Sequence, residues 1–261
     1  MDINSNDSND SNDSNDSNDS NDSNDSNDSN DSNDSNFHIF IASCVEGLDI
    51  QVPRIIKNII DVNIPTEYVH IIVGGCSSNE VYYKDGVEIV HVTYRCFEFT
   101  PIIYIAYEPD KYDFDFGFVT HDTVSFGNDF YNLMKGHVSH MRTTSYDTMR
   151  IDTEWPSMNI GIYSKKIIVQ NLGRLGEIVA NTNDAQELTR LKHNLVAYED
   201  FVLNQNSYTN HTNVSEKIAR DFEGHNGIIS HGLLRTFKNI DFVKYQSNAY
   251  NIQSIDICKI D

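Results

Sequence analysis

Three short polar stretches each follow an apolar run, and their side chains are the best placed for chemistry. Ser43, Cys44, Val45 and Glu46 follow the run 37–42, Gly74 and Gly75 follow 68–73, and His121, Asp122 and Thr123 follow 116–120. In an open α/β sheet, ligands bind beyond the carboxyl ends of the strands. The third stretch is the most telling, because it sets three polar side chains at the mouth of an apolar strand. A carboxylate there can hold Mg²⁺ or Mn²⁺, which take oxygen ligands and bridge diphosphate oxygens. Asp122 can equally cap the following turn, and spacing alone does not separate the two.

Other signals are weaker. Asp113-Phe114-Asp115 also pairs two acids, but it precedes its strand and so falls at the wrong end of a sheet, as a solvated lead-in loop. His137 and His140 are three apart in a polar stretch with no third ligand nearby, and no His-x₃-His with a flanking Glu occurs, so zinc is unsupported. There is no Gly-x-Ser-x-Gly elbow, no P-loop, and no third spaced glycine after Gly74-Gly75. These absences set aside serine hydrolysis, NTP hydrolysis and hydride transfer. Trp155, the one tryptophan, can stack on a sugar face or pack in the core.

The elements that must position these residues follow from periodicity. The run 37–42 predicts a buried first strand. Pro53 suits the first turn of a helix whose apolar stripe is Ile55, Ile56, Ile59 and Ile60, with Pro65 as its stop. Residues 68–73 give a second buried strand, so the first forty residues after Asn36 read as a βαβ unit with parallel strands. Asp85-Gly86 predicts a hairpin within 81–94. A helix over 99–107 with Pro101 in its first turn, a strand over 116–120, and a loop over 125–134 opening a helix come next. After them stand a strand over 159–163, a helix entered through Ser164-Lys165-Lys166, and a long helix capped by Asp184 and running to 204. A polar loop over 205–215 precedes Leu233-Leu234 and a last strand over 240–245. The pattern is α/β, with a mixed, mostly parallel central sheet and helices on both faces.

Composition bounds the rest. Residues 5–34 are ten copies of Ser-Asn-Asp, with no apolar residue, Pro or Gly. Such a tract cannot offset the entropy of ordering, so 1–36 is expected to be a disordered tail and 37–261 a single domain. The chain has 19 Lys and Arg against 39 Asp and Glu, net −20. Eleven of those acids precede Phe37, which leaves 19 against 28, net −9, for the remainder. No basic cluster tracks a phosphate backbone, so nucleic acid is not an expected partner. No run is long enough to span a membrane, and the start Met-Asp-Ile-Asn lacks a secretory n-region. Cys44, Cys76, Cys96 and Cys258 lie far apart, as expected of free thiols in a reducing cytoplasm. The Asn- and Ile-rich composition suits an AT-rich genome, such as that of a large DNA virus or a protist.

The order of elements from Phe37, the short acidic motif after the middle strand, the Phe126-Gly127-Asn128-Asp129-Phe130 stretch and Trp155-Pro156-Ser157-Met158-Asn159-Ile160-Gly161 together resemble a GT-A-type glycosyltransferase. The resemblance covers about 37–245 in order of elements. It implies a GT-A-like, Rossmann-like fold and transfer of a sugar from a nucleoside diphosphate donor to a hydroxyl acceptor. A non-catalytic nucleotide- or glycan-binding relative is the alternative. It implies that Ala42, Ser43, Glu46, Gly74, Gly75, His121 and Asp122 surround the nucleotide sugar. Trp155, Asn159 and Gly161 would stand near donor sugar and acceptor. Mg²⁺ or Mn²⁺ would be held by Asp122, with His231 completing the shell. The base would come from Glu199-Asp200; Asp200 is preferred because Tyr198, Phe201 and Val202 leave it near the edge of the apolar stripe. The family's motif usually reads Asp-x-Asp; here it is Thr120-His121-Asp122, with the first acid replaced.

Overall fold

The computed structural model describes residues 37–151, 160–176, 186, 187, 190, 207–209, 216–223 and 229–247; the side chains of Arg150, Arg174, 207–233, 246 and 247 fall outside the description. The tail 1–36, most of the expected helix 184–204, and Trp155, Asn159, Glu199, Asp200 and Cys258 lie outside the described residues.

The strands are β1 (Phe37–Cys44), β2 (Val69–Gly74), β3 (Glu80–Lys84), β4 (Val87–Val92), β5 (Phe116–His121), β6 (Val124–Phe126), β7 (Thr148–Arg150), β8 (Gly161–Ser164), β9 (Ser207–Thr209), β10 (Glu216–Glu223), β11 (Ile229–Phe237) and β12 (Phe242–Ser247). The helices are α1 (Gln51–Asp61), α2 (Thr100–Tyr107), α3 (Phe130–Thr144), α4 (Lys165–Gln170) and α5 (Leu172–Gly176). Eight strands form one mixed sheet in the order β3-β4-β2-β1-β5-β8-β7-β9; β10-β11-β12-β6 form a second, antiparallel sheet. At the centre β4, β2, β1 and β5 are parallel, and β8 runs antiparallel to β5.

Helices cover both faces. Phe37, Ile39 and Ile41 of β1 point into a core shared with Val52, Ile55, Ile56 and Ile59 of α1 and Phe130, Met134, Val138 and Met141 of α3. Phe40 points the other way, into a core with Ile102, Ile103 and Ile105 of α2 and Ile167 and Ile168 of α4. The period of two in the strand and 3.6 in the helices makes this division. Ile60, expected in the α1 stripe, is exposed, because Val52 and Ile55 centre the stripe about a quarter-turn away.

Several boundaries differ from the sequence expectation. α1 ends before Pro65: Asn63 adopts φ 56°, its N–H bonds the Ile60 carbonyl and the Ile64 N–H bonds that of Ile59, so a left-handed cap closes the helix. β1 runs two residues further than expected, because Ser43 and Cys44 pair with Val73 and Gly74. Part of the expected loop at 125–134 is β6, drawn into a strand by pairing with β12. Part of the expected polar loop at 205–215 is β9, beside β7. Leu233 and Leu234 stand inside β11, and β12 begins at Phe242 rather than 240. The polar stretch with His137 and His140 is part of α3. The hairpin is as expected: Asp85 and Gly86, at φ 52° and 84°, make the two-residue turn whose twist matches its strands.

Candidate functional site at the carboxyl ends of the parallel strands

From β1 the chain proceeds outward through β2 to β4, then returns to lay β5 on the other side of β1. The reversal sets the carboxyl ends of β1 and β5 side by side, the place where such sheets gather ligands and where the crevice is expected. Two side chains meet across it. Ser43 Oγ donates to Asp122 Oδ2 at 2.6 Å, and the Asp122 N–H donates to the Ala42 carbonyl at 2.9 Å. Both side chains are buried, Asp122 at 9% exposure. Gly47, in the turn Val45–Gly47 that follows β1, lies directly over them: a Cβ there would stand 2.9 Å from Asp122 Oδ2 and 3.0 Å from Ser43 Oγ. Burial raises the Asp122 pKa above the ordinary carboxylate value, opposed by the Ser43 bond and the nearby Arg54 charge.

Arg54 fixes the far wall. From α1 it donates to the backbone carbonyls of Val124 (3.0 Å) and Asp122, and to Gln51 Oε1 at 3.1 Å, with its guanidinium over the Tyr245 ring. Asn58, one turn on, bonds both the N–H and the carbonyl of Phe126. Together they hold the β5–β6 bend against α1. His121 Nδ1 lies 2.6 Å from Thr123 Oγ1.

Arg95 closes the crevice on the β2 side. Its Nη1 bonds Glu46 Oε1 at 2.7 Å, its guanidinium lies over Phe97, and its stem passes Gly75, whose Cβ would be 3.5 Å from Arg95 Cδ. Burial works to raise the Glu46 pKa, but the bonds it accepts, Arg95 first, outweigh this and lower it. Cys44, between the two halves, has its thiol pushed up to about 12 by burial, then by Asp122 and Glu46. Its inertness as a nucleophile follows. Gly74 and Gly75 answer packing needs here. A Cβ on Gly74 would lie 3.0 Å from the Tyr94 carbonyl, and Gly75 has φ 81° and donates to that same carbonyl.

The structure therefore brings together Ala42, Ser43, Glu46, Gly74, Gly75, His121 and Asp122. Gly161 opens β8 opposite Val119, at the same end of the sheet, where a Cβ would collide with the Met149 carbonyl. His231 of β11 lies opposite Asp221 of β10 in the antiparallel register; its side chain is outside the description. Sequence reasoning missed Arg95 and Arg54. Arg95 had a signal: a single cation inside Tyr94-Arg95-Cys96-Phe97, directly after a parallel strand. It also missed a second polar cluster, at the amino ends of the strands. There His38 Nδ1 and His70 Nε2 lie 2.8 Å apart, His70 Nδ1 lies 2.8 Å from Glu88 Oε2, and Glu88 also takes bonds from Tyr112 and Lys111. A cavity of about 390 Å³ opens beside them. These groups satisfy one another and sit at the end of the sheet away from the crevice.

No family model and no curated protein matches the chain.

The cation that the resemblance implies needs an ionised carboxylate with oxygen facing the crevice. Asp122 as placed does not fit. One oxygen is taken by Ser43, Gly47 covers the pair, and burial favours the protonated form. Among the described residues no three His, Cys, Asp or Glu side chains come together as a ligand set.

Proposed function

We propose that the chain binds a nucleoside diphosphate sugar in the β1–β5 crevice and transfers the sugar to a hydroxyl acceptor, as GT-A-type glycosyltransferases do. The observation that carries the reading is the reversal of strand order at β1, with Ser43, Asp122, Glu46 and Arg95 gathered at that one place. Antiparallel β8 beside β5, and the small antiparallel sheet entered through β6, are consistent with it. In this reading the strand ends at Ser43–Glu46 and Gly74–Gly75 cradle the nucleotide, and Asp122 and His121 face the sugar diphosphate. Trp155, Asn159 and Gly161 line the acceptor side, and Asp200, or Glu199 beside it, takes the acceptor proton. The leaving diphosphate needs a positive partner; the cation expected on Asp122 and His231 does not suit Asp122 as placed, whereas guanidinium groups are already present at Arg54 and Arg95.

Thermal-shift measurements with UDP, GDP and CMP, each with and without Mn²⁺, test this. One nucleotide should raise the midpoint; no stabilisation by any of them counts against the reading. A second reading is favoured by the engagement of Asp122 with Ser43: a non-catalytic nucleotide- or glycan-binding relative. It predicts nucleotide binding with no sugar released from any donor.

A further inference from the structure

We infer that Arg95 receives the diphosphate of the bound nucleotide in exchange for Glu46, so that a nucleoside diphosphate binds in this crevice without a divalent metal ion. The inference rests on the nucleotide-sugar reading above and commits it to one means of neutralising the leaving group.

Arg95 is more than nine-tenths buried, its stem against Gly75 at the end of β2, where a Cβ on Gly75 would also meet Val45 from beyond the end of β1. A guanidinium offers five N–H donors in a planar fork. Nη1 is given to Glu46, whereas Nε is fully buried and has no hydrogen-bond partner. A buried donor left unpaired is costly and marks a place where a second acceptor belongs. Nη1 and the Nε–H point to opposite sides of the guanidinium, so the two phosphates of a diphosphate, each with its own oxygens, suit the Nη1 that Glu46 vacates and the unpaired Nε. Phe97 under the guanidinium holds the fork in its plane.

Glu46 is the right occupant to be displaced. It is part-exposed, it comes from a three-residue turn, and on its return to water the diphosphate takes its place against the buried Arg95 charge. The same turn carries Gly47, which covers Asp122 and Ser43. Withdrawal of Glu46 from Arg95 therefore also loosens the cover over the acid on the sugar side. The metal-ligand role expected of Asp122 is not needed in this arrangement, in keeping with an acid motif that has lost its first carboxylate.

Calorimetric titration of the full chain with UDP, GDP, CDP and ADP, with their nucleosides, and with inorganic pyrophosphate, in EDTA and in Mn²⁺, tests the inference. The preferred diphosphate should bind in EDTA within about threefold of its Kd in Mn²⁺. Arg95→Ala should weaken it by about tenfold or more, as loss of a charge-assisted fork does. Arg95→Lys should recover part of that loss, Glu46→Gln should tighten binding, and none of the three should change affinity for the nucleoside. Should Arg95→Ala fail to fold by circular dichroism, Arg95→Lys and Glu46→Gln carry the test. Binding that requires Mn²⁺, or that is indifferent to Arg95 and Glu46, overturns the inference and leaves the nucleotide reading standing. No binding of any nucleotide in either condition overturns both.

Discussion

Ser43 and Asp122 reach each other from strands that are neighbours in space and seventy-nine residues apart in sequence. Their contact decides how the crevice behaves before any ligand arrives. Ser43→Ala removes the donor from a buried carboxyl and should lower the unfolding free energy by about 1–3 kcal/mol, measured by urea denaturation. Gly47→Ala should cost a comparable amount, about 1–3 kcal/mol by the same measurement, because its methyl group would press on Asp122 Oδ2 and Ser43 Oγ. If either variant is as stable as wild type, the Ser43–Asp122–Gly47 packing is not as described. At this scale the sequence was informative where a polar residue ends an apolar run, which is how Ser43, Glu46 and Asp122 were found. It was silent on their bonding. The burial that makes Asp122 a poor metal ligand comes from Gly47 folding back over it, and nothing in the residue types announces that.

At the scale of elements, three parallel strands carry a polar residue at their second position: His38 in β1, His70 in β2 and Glu88 in β4. Apolar-run reasoning passed over this repeat because each strand still reads as buried. Its consequence is acid sensitivity. Burial, then His70 and Lys165, lowers the His38 pKa to about 4, below its usual 6.5. The unfolded chain thus takes up the proton first, and stability is complete above about pH 6.5 and lost as pH falls toward 4. Glu88 acts in the same sense at lower pH. Burial tends to raise its pKa, but bonds from His70, Tyr112 and Lys111 bring it to about 2, so its contribution is present above about 4.5 and lost toward 2. Between pH 7 and 4.5 the wild type should lose on the order of 2–3 kcal/mol through His38. His38→Phe, whose ring suits the neighbouring Phe40, Tyr68 and Phe114, should lose less over the same interval. Equal losses in the two proteins would contradict this. The three-residue strands β6, β7 and β9 were not legible for a different reason. They exist through pairing with distant partners, and three residues carry no period.

For the whole molecule, the alternation of strand and helix made the centre of the sheet legible from Phe37 onward, including the parallel pairing of β1 and β2. On the antiparallel flank and in the second sheet β8 and β12 were legible as strands, but β10 was not, since it reads as Glu216-Lys217-Ile218-Ala219-Arg220-Asp221-Phe222-Glu223, with too few apolar residues to mark a strand. The Ser-Asn-Asp repeat carries half of the net charge but no group that a core could use. A chain beginning at Asn36 should therefore keep the full chain's thermal midpoint and nucleotide response; loss of either would move the domain boundary. The central claim is that a nucleoside diphosphate occupies the carboxyl ends of β1, β2 and β5. Hydrogen exchange read by mass spectrometry, with and without the nucleotide that gives the largest thermal shift, addresses it most directly. Protection should concentrate in residues 43–48, 74–77, 94–97 and 121–124. Protection confined to the amino-end cluster around His38, His70 and Glu88, or none at all, would contradict the account.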